Sequence, residues 1–332
     1  MAHHFDQHEP WFFETVPPDE FRVSCWQGTT NDHSDTDIRE HAHSAVRKIE
    51  AASFAGIQLL VFPELYLNGP PLLKTLDSSC DHDVEALEMI ANAAGSTGVA
   101  VVMGYAKRSH SCTNIYNSAI AFHADGTVAY KCNKVSLATE QEKKLFTPGD
   151  EESWKAFDLK VKHRVVRCGI CICFDSDFMT SDAPSRIARD GAEVLLIPMA
   201  ALSTGIDDVL SFDGVAEQNN LYVLRANMAH DDRFKIAHHC GKSCISLKNG
   251  QVITKADMKE ERHVTYQIKL AETAHPMKVG TKVKVDGLTN ATEYNGRFGF
   301  VIKAPTPEGR VGIKLDNGKS LAVKLENLEI VT

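Results

Sequence analysis

The fold is decided by residues 165–198, VVRCGICICFDSDFMTSDAPSRIARDGAEVLLIP. Their first part, Val165 to Cys173, is apolar and β-branched, which predicts a buried strand that ends on Cys173. A polar turn follows, and then a helix from about Ala183 to Asp190 that stops before a glycine. Glu193 to Pro198 predicts a second buried strand. A thiol on the bend between a strand and a helix is held rigidly and stays open to a substrate.

Composition limits the classes of protein to consider. The chain has 332 residues, 43% of them hydrophobic, which is enough for a sizeable core and predicts more than one domain. A formal net charge of -8 argues against nucleic acid or an acidic membrane surface as a partner. No stretch approaches the ~20 apolar residues of a membrane-spanning helix. Nine cysteines, an odd number, without a secretory signal predict free thiols and a cytoplasmic location.

Helix and strand patterns alternate as far as about residue 270. Apolar periodicity predicts helices over Asp35–Ala55 and Asp81–Ala94 and a helix–strand pair over Asp207–Asn227. Lys131–Asp150 is polar and is predicted to be irregular. Hairpins are predicted at Ala124-Asp125-Gly126 and Lys248-Asn249-Gly250, and strands at Phe21–Gln27, Ile57–Phe62, Gly98–Tyr105 and Val264–Ile268. Such alternation implies a mixed sheet with helices on its outer faces.

The composition changes after Leu270. Short β runs separated by turn signals predict a small all-β barrel, with runs at Thr281–Val285, Gly299–Ile302, Val311–Leu315 and Ser320–Val323. Thr273–Pro276 is the predicted linker. We therefore expect an irregular N-terminal arm at 1–20, an α/β domain at 21–272 and the barrel at 277–332.

Three residues stand out as groups that can do chemistry: Glu64 after an apolar strand, Lys134 in a polar segment, and Cys173. A free thiol has a pKa of ~8.5, so a neighbouring carboxylate that takes its proton contributes roughly 10²–10⁴-fold to a reaction. An ammonium can stabilise the oxyanion of the tetrahedral adduct, which is worth ~10²–10³ in rate. The combination is typical of a hydrolase that works through a covalent intermediate.

Each residue also has an interpretation without function. Glu64 can cap a helix, Lys134 can be a surface lysine, and Cys173 can be a small buried hydrophobe. Cys168 and Cys171 with Cys173 suggest zinc only weakly, because a strand directs Cys168 and Cys171 to opposite faces. A second weak metal cluster consists of His238, His239, Cys240 and Cys244.

Taken together, the motifs resemble the carbon-nitrogen hydrolase family, the nitrilase superfamily, over about residues 21–270. The main matches are Phe62-Pro63-Glu64, Lys134-Val135-Ser136-Leu137 and Gly169-Ile170-Cys171-Ile172-Cys173-Phe174-Asp175. Further matches are Glu142–Gly149, Gly191–Pro198, Ala216–Asn219 and Gly241–Ser243.

The resemblance implies a four-layer αββα sandwich with Cys173 as nucleophile, Glu64 as base and Lys134 as stabiliser of the tetrahedral intermediate. Glu142 matches a second family glutamate that orients the lysine or shuttles protons. The backbone N–H of Phe174 is a further oxyanion donor. The resemblance also implies that no metal or organic cofactor is needed and that the chain forms a homodimer or a higher homo-oligomer.

The departures from the family pattern bear on the substrate. Phe178-Met179-Thr180 stands where the family has Phe-Pro-Glu, and Ser136 stands where histidine is usual. Phe174-Asp175 after the nucleophile resembles the amidase and carbamoylase branches, whereas nitrile-cleaving members have Trp-Glu. An amide or N-carbamoyl compound is therefore the expected substrate, with a nitrilase or an acyltransferase as alternatives.

The tail resembles a small Src-homology-3-like barrel found as an accessory module in other proteins. The matching positions include Leu288, Tyr294-Asn295-Gly296, Gly309-Arg310-Val311, Asp316–Lys319 and Glu326-Asn327-Leu328. It is interpreted as an assembly module, with peptide binding as the alternative. A catalytically silent protein that binds a protein partner through this barrel is the second hypothesis for the whole chain.

Overall fold

The computed structural model describes residues 20–29, 38–69, 80–109, 114–162, 164–177, 181–202, 214–232, 239–270, 280–303, 310–324 and 327–331. The chain divides into two compact units, residues 1–268 and 269–332. The predicted linker and nearly all of the predicted N-terminal arm lie outside the described residues.

The first unit combines helices with many short strands. Its described helices are α1 (Ile38–Phe54), α2 (Cys80–Thr97), α3 (Glu140–Leu145), α4 (Ala183–Arg189) and α5 (Val215–Asn219). Its strands are β1 (Glu20–Gln27), β2 (Leu59–Val61), β3 (Ala100–Arg108), β4 (Ile115–Phe122), β5 (Val128–Asn133), β6 (Phe157–Val161), β7 (Arg164–Ile170), β8 (Val194–Met199), β9 (Tyr222–Asn227), β10 (Cys244–Ser246), β11 (Val252–Lys255) and β12 (Arg262–Lys269). None of these described helices has the length and apolar composition needed to cross a membrane.

The strands form two six-stranded sheets, with the orders β12-β1-β2-β3-β4-β5 and β11-β10-β9-β8-β7-β6. Strands β1, β2 and β3 are parallel neighbours, and so are β7, β8 and β9. The hairpins β3–β4–β5 and β9–β10–β11 are antiparallel. The predicted mixed topology is therefore confirmed, and the parallel strands are the ones that read as continuous apolar runs.

The sheets face each other and helices cover their outer faces. Strands β1, β2 and β3 contact β8 and β9 across the sandwich. Helices α1 and α2 pack on the first sheet, where Ile49 and Ile90 share a buried cluster with Val101. On the second sheet, a Cβ atom at Gly169 would lie only 2.1 Å from Cγ2 of Ile187 in α4, so this glycine lets the helix sit close. The predicted four-layer αββα sandwich is confirmed.

Three local predictions need correction. The strand predicted to end on Cys173 ends at Ile170, and Cys173 instead begins a 3₁₀ turn that runs to Ser176. The segment predicted as irregular contains the end of β5 and the helix α3, which Thr139 caps. Strand β6 was missed, although its burial alternates with the two-residue period of a strand.

The second unit is an antiparallel five-stranded sheet of order β16-β15-β14-β13-β17. Its strands are β13 (Lys282–Val285), β14 (Phe298–Lys303), β15 (Arg310–Leu315), β16 (Ser320–Lys324) and β17 (Leu328–Ile330). Its core contains Val283, Val301 and Ile313. The all-β prediction for this tail is confirmed, and closure into a barrel stays a prediction.

Candidate active site

The structure brings Glu64, Lys134 and Cys173 together from separate parts of the sequence. Glu64 follows β2, Lys134 follows β5 directly, and Cys173 follows β7. The ammonium of Lys134 lies 2.8 Å from the Glu64 carboxylate, and both charges act on the Cys173 thiol. All three lie beyond strand ends, which is where α/β sheets place their functional groups.

The turn that carries Glu64 is held from both sheets. A Cβ atom at Gly104 in β3 would lie 2.3 Å from the carbonyl oxygen of Pro63 and 2.7 Å from Cα of Glu64, so glycine is required for this close approach. The N–H of Glu64 donates to the carbonyl of Met199, at the end of β8, at 3.3 Å. Leu65 then takes a left-handed conformation, with φ 55°, which a branched residue rarely adopts.

Three donors orient the Glu64 carboxylate, which is only 2% exposed. Oε1 accepts from Nζ of Lys134 at 2.8 Å and from Nδ2 of Asn117 at 2.6 Å. Oε2 accepts from the backbone N–H of Ala200 at 2.8 Å. Hydrogen bonds to an ionised acceptor are stronger than neutral ones, so they fix the position of this base.

Two backbone hydrogen bonds fix the position of Lys134. Its N–H donates to the carbonyl of Asn117 at 2.7 Å, and its carbonyl accepts from the N–H of Gly149 at 2.8 Å. A Cβ atom at Gly149 would lie 2.4 Å from the carbonyl oxygen of Asn133. The Gly149 end of the Glu142–Gly149 motif thus has a physical role, because it packs directly on the backbone of the lysine.

The ammonium of Lys134 lies between two carboxylates and is 1% exposed. Nζ is 2.8 Å from Oε1 of Glu64 and 2.6 Å from Oε1 of Glu142. Burial alone lowers the pKa of Lys134, but the charges of Glu64, Cys173 and Glu142 outweigh burial and raise the pKa overall. The side chain therefore stays protonated and can serve as a fixed positive charge.

Glu142 has two roles in one side chain. Its Oε2 accepts from the N–H of Ala138 at 2.6 Å and closes the capping box with Thr139 at the start of α3. Its Oε1 binds Lys134. The prediction that Glu142 lies near the lysine is supported by this geometry, and the short helix α3 is what positions it.

Cys173 lies in a strained turn. Its φ is 48°, in the left-handed region, and Oγ of Ser176 donates to its carbonyl at 2.6 Å. Such a conformation costs about 1–3 kcal/mol and is found at functional sites. Burial and the charge of Glu64 raise the pKa of the thiol, against a lowering effect of Lys134. At neutral pH the sulfur is therefore a thiol, and it needs a base to become a nucleophile.

Asp175 connects the nucleophile turn to the lysine segment. Its Oδ1 accepts from the N–H groups of Ser136 at 2.7 Å and Val135 at 3.2 Å. Burial raises the pKa of Asp175 to about 6, although these donors and Lys134 lower it. Ser136, which departs from the family pattern, contributes here through its backbone N–H.

Sequence reasoning missed two contributors to the site, Asn117 and the N–H of Ala200, and gave Asp175 no role in holding the site together. Asn117 lies inside an ordinary hairpin strand, so only its pairing with Glu64 in space identifies it. Ala200 acts through its backbone, which carries no sequence signal. Asp175 was readable, because it belongs to the motif that follows the cysteine.

His239 lies close to the same site. It pairs as an antiparallel bridge with Leu202, two residues after Ala200, and it is 7% exposed. Burial lowers the pKa of His239, while the backbone of Ala200 and the charge of Glu64 raise it. Its ring therefore stays neutral near pH 7.

The weak metal clusters find no support. Within the described residues, no group of three or more His, Cys, Asp and Glu side chains is arranged to hold a metal ion. Sγ of Cys240 instead accepts from Nδ2 of Asn227 at 3.1 Å. His238 lies outside the described residues.

Comparison with known proteins identifies the family of this chain. The model of the carbon-nitrogen hydrolase family matches residues 22–275. The chain belongs to the carbon-nitrogen hydrolase family. Among curated relatives, a nitrilase from Pyrococcus abyssi is 28% identical over 222 residues, covering 65% of this chain and 79% of that protein. Omega-amidase NIT2-A from Xenopus laevis is 26% identical over 233 residues, covering 67% and 80%.

Solved structures show the same fold. An amidase from Nesterenkonia sp. superposes with a TM-score of 0.65 at 20% identity and covers 75% of this chain and 90% of that one. Members of this family, which include amidases and nitrilases, are hydrolases. The residues that match the family model include Glu64, Lys134 and Cys173.

Proposed function

We propose that the chain hydrolyses the C–N bond of a small non-peptide amide or N-carbamoyl compound through an acyl-enzyme on Cys173. The observation that carries the proposal is the buried Glu64–Lys134–Glu142 network, whose charges act on the thiol. A structural salt bridge alone would need neither a second carboxylate nor a strained cysteine beside it.

In the first half-reaction, Glu64 takes the proton of Cys173 while Sγ attacks the carbonyl carbon. The oxyanion that forms is stabilised by Lys134, since an ammonium has three N–H donors and two carboxylates engage only two of them. The N–H of Phe174, the second residue of the 3₁₀ turn, has no partner within that turn and is the second oxyanion donor. Glu64 then protonates the leaving nitrogen, and the C–N bond breaks to give a thioester.

In the second half-reaction, water attacks the thioester and loses its proton to Glu64. The tetrahedral adduct collapses, the C–S bond breaks, and Glu64 returns the proton to Cys173. Glu142 keeps the ammonium of Lys134 in place during both steps and compensates its charge when Glu64 is protonated. No metal or organic cofactor enters the proposed cycle.

An amide or N-carbamoyl substrate is favoured over a nitrile because Asp175, not a glutamate, follows the Cys173-Phe174 pair. Its shorter side chain reaches the N–H groups of Val135 and Ser136 and so joins the two halves of the site. The relatives include both nitrilases and amidases, so this part of the proposal rests on the chain's own residues.

We also propose a cytoplasmic location and a homodimer or larger homo-oligomer. A nucleophilic thiol must stay reduced, and the seven cysteines whose side chains the structure describes are all free. The oligomer follows from the family resemblance, and size-exclusion chromatography with light scattering measures it.

Ammonia release from a panel of small amides, ureido acids, carbamoyl amines and nitriles tests the function. Wild type should turn over at least one amide or ureido compound, and Cys173→Ala should lose at least 10³-fold. Cys168→Ala, a buried cysteine in the preceding strand, is the matched control and should keep activity. Turnover by Cys173→Ala equal to that of wild type would rule out the proposed nucleophile.

A further inference from the structure

The second unit exposes a row of large apolar side chains. Phe298, Phe300 and Ile302 of β14 are 41%, 53% and 46% exposed, while Gly299 and Val301 between them are buried. These three side chains, which we call the apolar stripe, project from one face because strand residues alternate between faces. The core of the unit lies on the other face. Aligned apolar side chains on an exposed sheet face mark a contact surface.

Lysines flank the apolar stripe on both sides. In the register of the sheet, Lys282 and Lys284 of β13 stand opposite Phe300 and Phe298. On the other side, Lys314 of β15 stands opposite Phe300. Directly paired residues share a face, so the lysines border the apolar stripe. Nζ of Lys282 lies 5.6 Å from the centroid of the Phe298 ring.

We propose that the apolar stripe and its flanking lysines bind an acidic segment of another protein. An acidic partner is favoured because the unit with the apolar stripe is basic. Residues 277–332 contain nine Lys and Arg against six Asp and Glu, although the whole chain has a net charge of -8. Successive side chains of the apolar stripe are two residues apart in a strand, which is about 7 Å. An extended segment whose apolar side chains have the same spacing, with carboxylates beside them, matches this surface.

A single-stranded nucleic acid fits this face less well. Ile302 has no ring on which a base can stack, and stacking is worth about 1–3 kcal/mol per base at such platforms. Two carboxylates also lie near the Phe298 end of the apolar stripe: Glu329 pairs with Lys284 at 3.8 Å, and Asp316 pairs with Arg297 at 3.7 Å. They would repel a continuous phosphate backbone, whereas a peptide can place its charges only where lysines lie.

The test is selection from a random phage-displayed 12-residue peptide library on the full-length chain, followed by fluorescence anisotropy of the enriched peptide. The double variant Phe298→Ser/Phe300→Ser removes the rings, and Lys282→Glu/Lys314→Glu reverses the flanking charge. Phe54→Ser, an 80% exposed phenylalanine of the first unit, is the matched control. Circular dichroism and the melting temperature confirm that each variant is folded.

Enriched peptides should carry Asp or Glu beside large apolar residues. Each double variant should weaken binding at least tenfold, Phe54→Ser should leave it unchanged, and added salt should weaken it. The proposal would be overturned if no acidic apolar peptides were enriched, or if both double variants bound the peptide as tightly as wild type. Tighter binding of a labelled twelve-nucleotide oligothymidine would assign the face to nucleic acid. Dissociation of an oligomer by the ring variant would assign it to a second copy of the chain.

Discussion

Replacing Lys134 by methionine separates its structural role from its chemical one. The substitution keeps the length of the side chain but leaves Glu64, 2% exposed, as a buried carboxylate without its cation. Breaking a buried pair in this way costs about 3–5 kcal/mol. In a protein of this size each kcal/mol lowers the melting temperature by roughly 2–4 °C, so the expected fall is about 6–20 °C. Glu142 is 19% exposed and can be hydrated, so it contributes little to the cost.

The double variant Glu64→Gln/Lys134→Met removes the buried charge together with its partner. It should recover at least half of the lost melting temperature, because Gln still accepts from the N–H of Ala200. Activity should not recover, since both the base and the oxyanion donor are missing. Lys143→Met is the control: this exposed lysine pairs with Glu140 at the surface, which is worth about 0–1 kcal/mol.

Differential scanning calorimetry and ammonia release on the same four proteins provide the assay. A melting temperature of Lys134→Met within 2 °C of wild type would refute the account of a buried charge. A double variant no more stable than the single one would also refute it, because the cost would then come from packing and not from charge.

Other predictions concern groups that support the triad. Gly104→Ala puts a Cβ atom 2.7 Å from Cα of Glu64 and should lower kcat/KM at least tenfold. Gly318→Ala strains the backbone at φ 83° in the second unit, but its Cβ meets nothing within 4 Å, so it should not change kcat/KM; equal kcat/KM for both would contradict the packing argument. Asn117→Ala removes a donor to the Glu64 carboxylate and should lower the free energy of unfolding in urea by about 1.5–3 kcal/mol; a loss below 0.5 kcal/mol would show that the bond is not made. Because the pKa of Asp175 is raised to about 6, the folded chain binds a proton between about pH 4 and 6 that the unfolded chain releases. The free energy of unfolding of wild type relative to Asp175→Asn should therefore fall as the pH rises through this window, by at most about 1.4 kcal/mol per pH unit. Urea unfolding measures both proteins at each pH, and a difference that does not change with pH would contradict the prediction.

Much of the fold was readable because its apolar patterns are local. Parallel strands such as β3 and β8 read as continuous apolar runs, and α1 has a clear helical period. The exact end of β7 was not readable, because Cys171 and Ile172 are as apolar as the strand but lie between its end and the turn. The left-handed backbone of Cys173 begins the turn that follows, and a cysteine gives no signal for it.

The candidate site was readable only in part for a related reason. Glu64, Lys134 and Cys173 could be found because each belongs to a recognisable motif. Asn117 becomes part of the site only when β4 joins the sheet of β2, and the N–H of Ala200 only when the second sheet packs on the first. Nothing in the sequence near either residue indicates this. Similarly, the alternation of Phe298 and Phe300 predicts a strand but does not say that the face with the rings is the exposed one.

The most direct test of the account is to identify the atom that carries the acyl group. Wild type and Cys173→Ala are mixed with a substrate found in the ammonia assay, quenched in acid within milliseconds, and analysed by intact and peptide mass spectrometry. The account predicts a mass increase equal to the acyl group on wild type, on the peptide that contains Cys173, and none on the variant. An acyl group on another residue, or an acyl group of the same mass on Cys173→Ala, would contradict it.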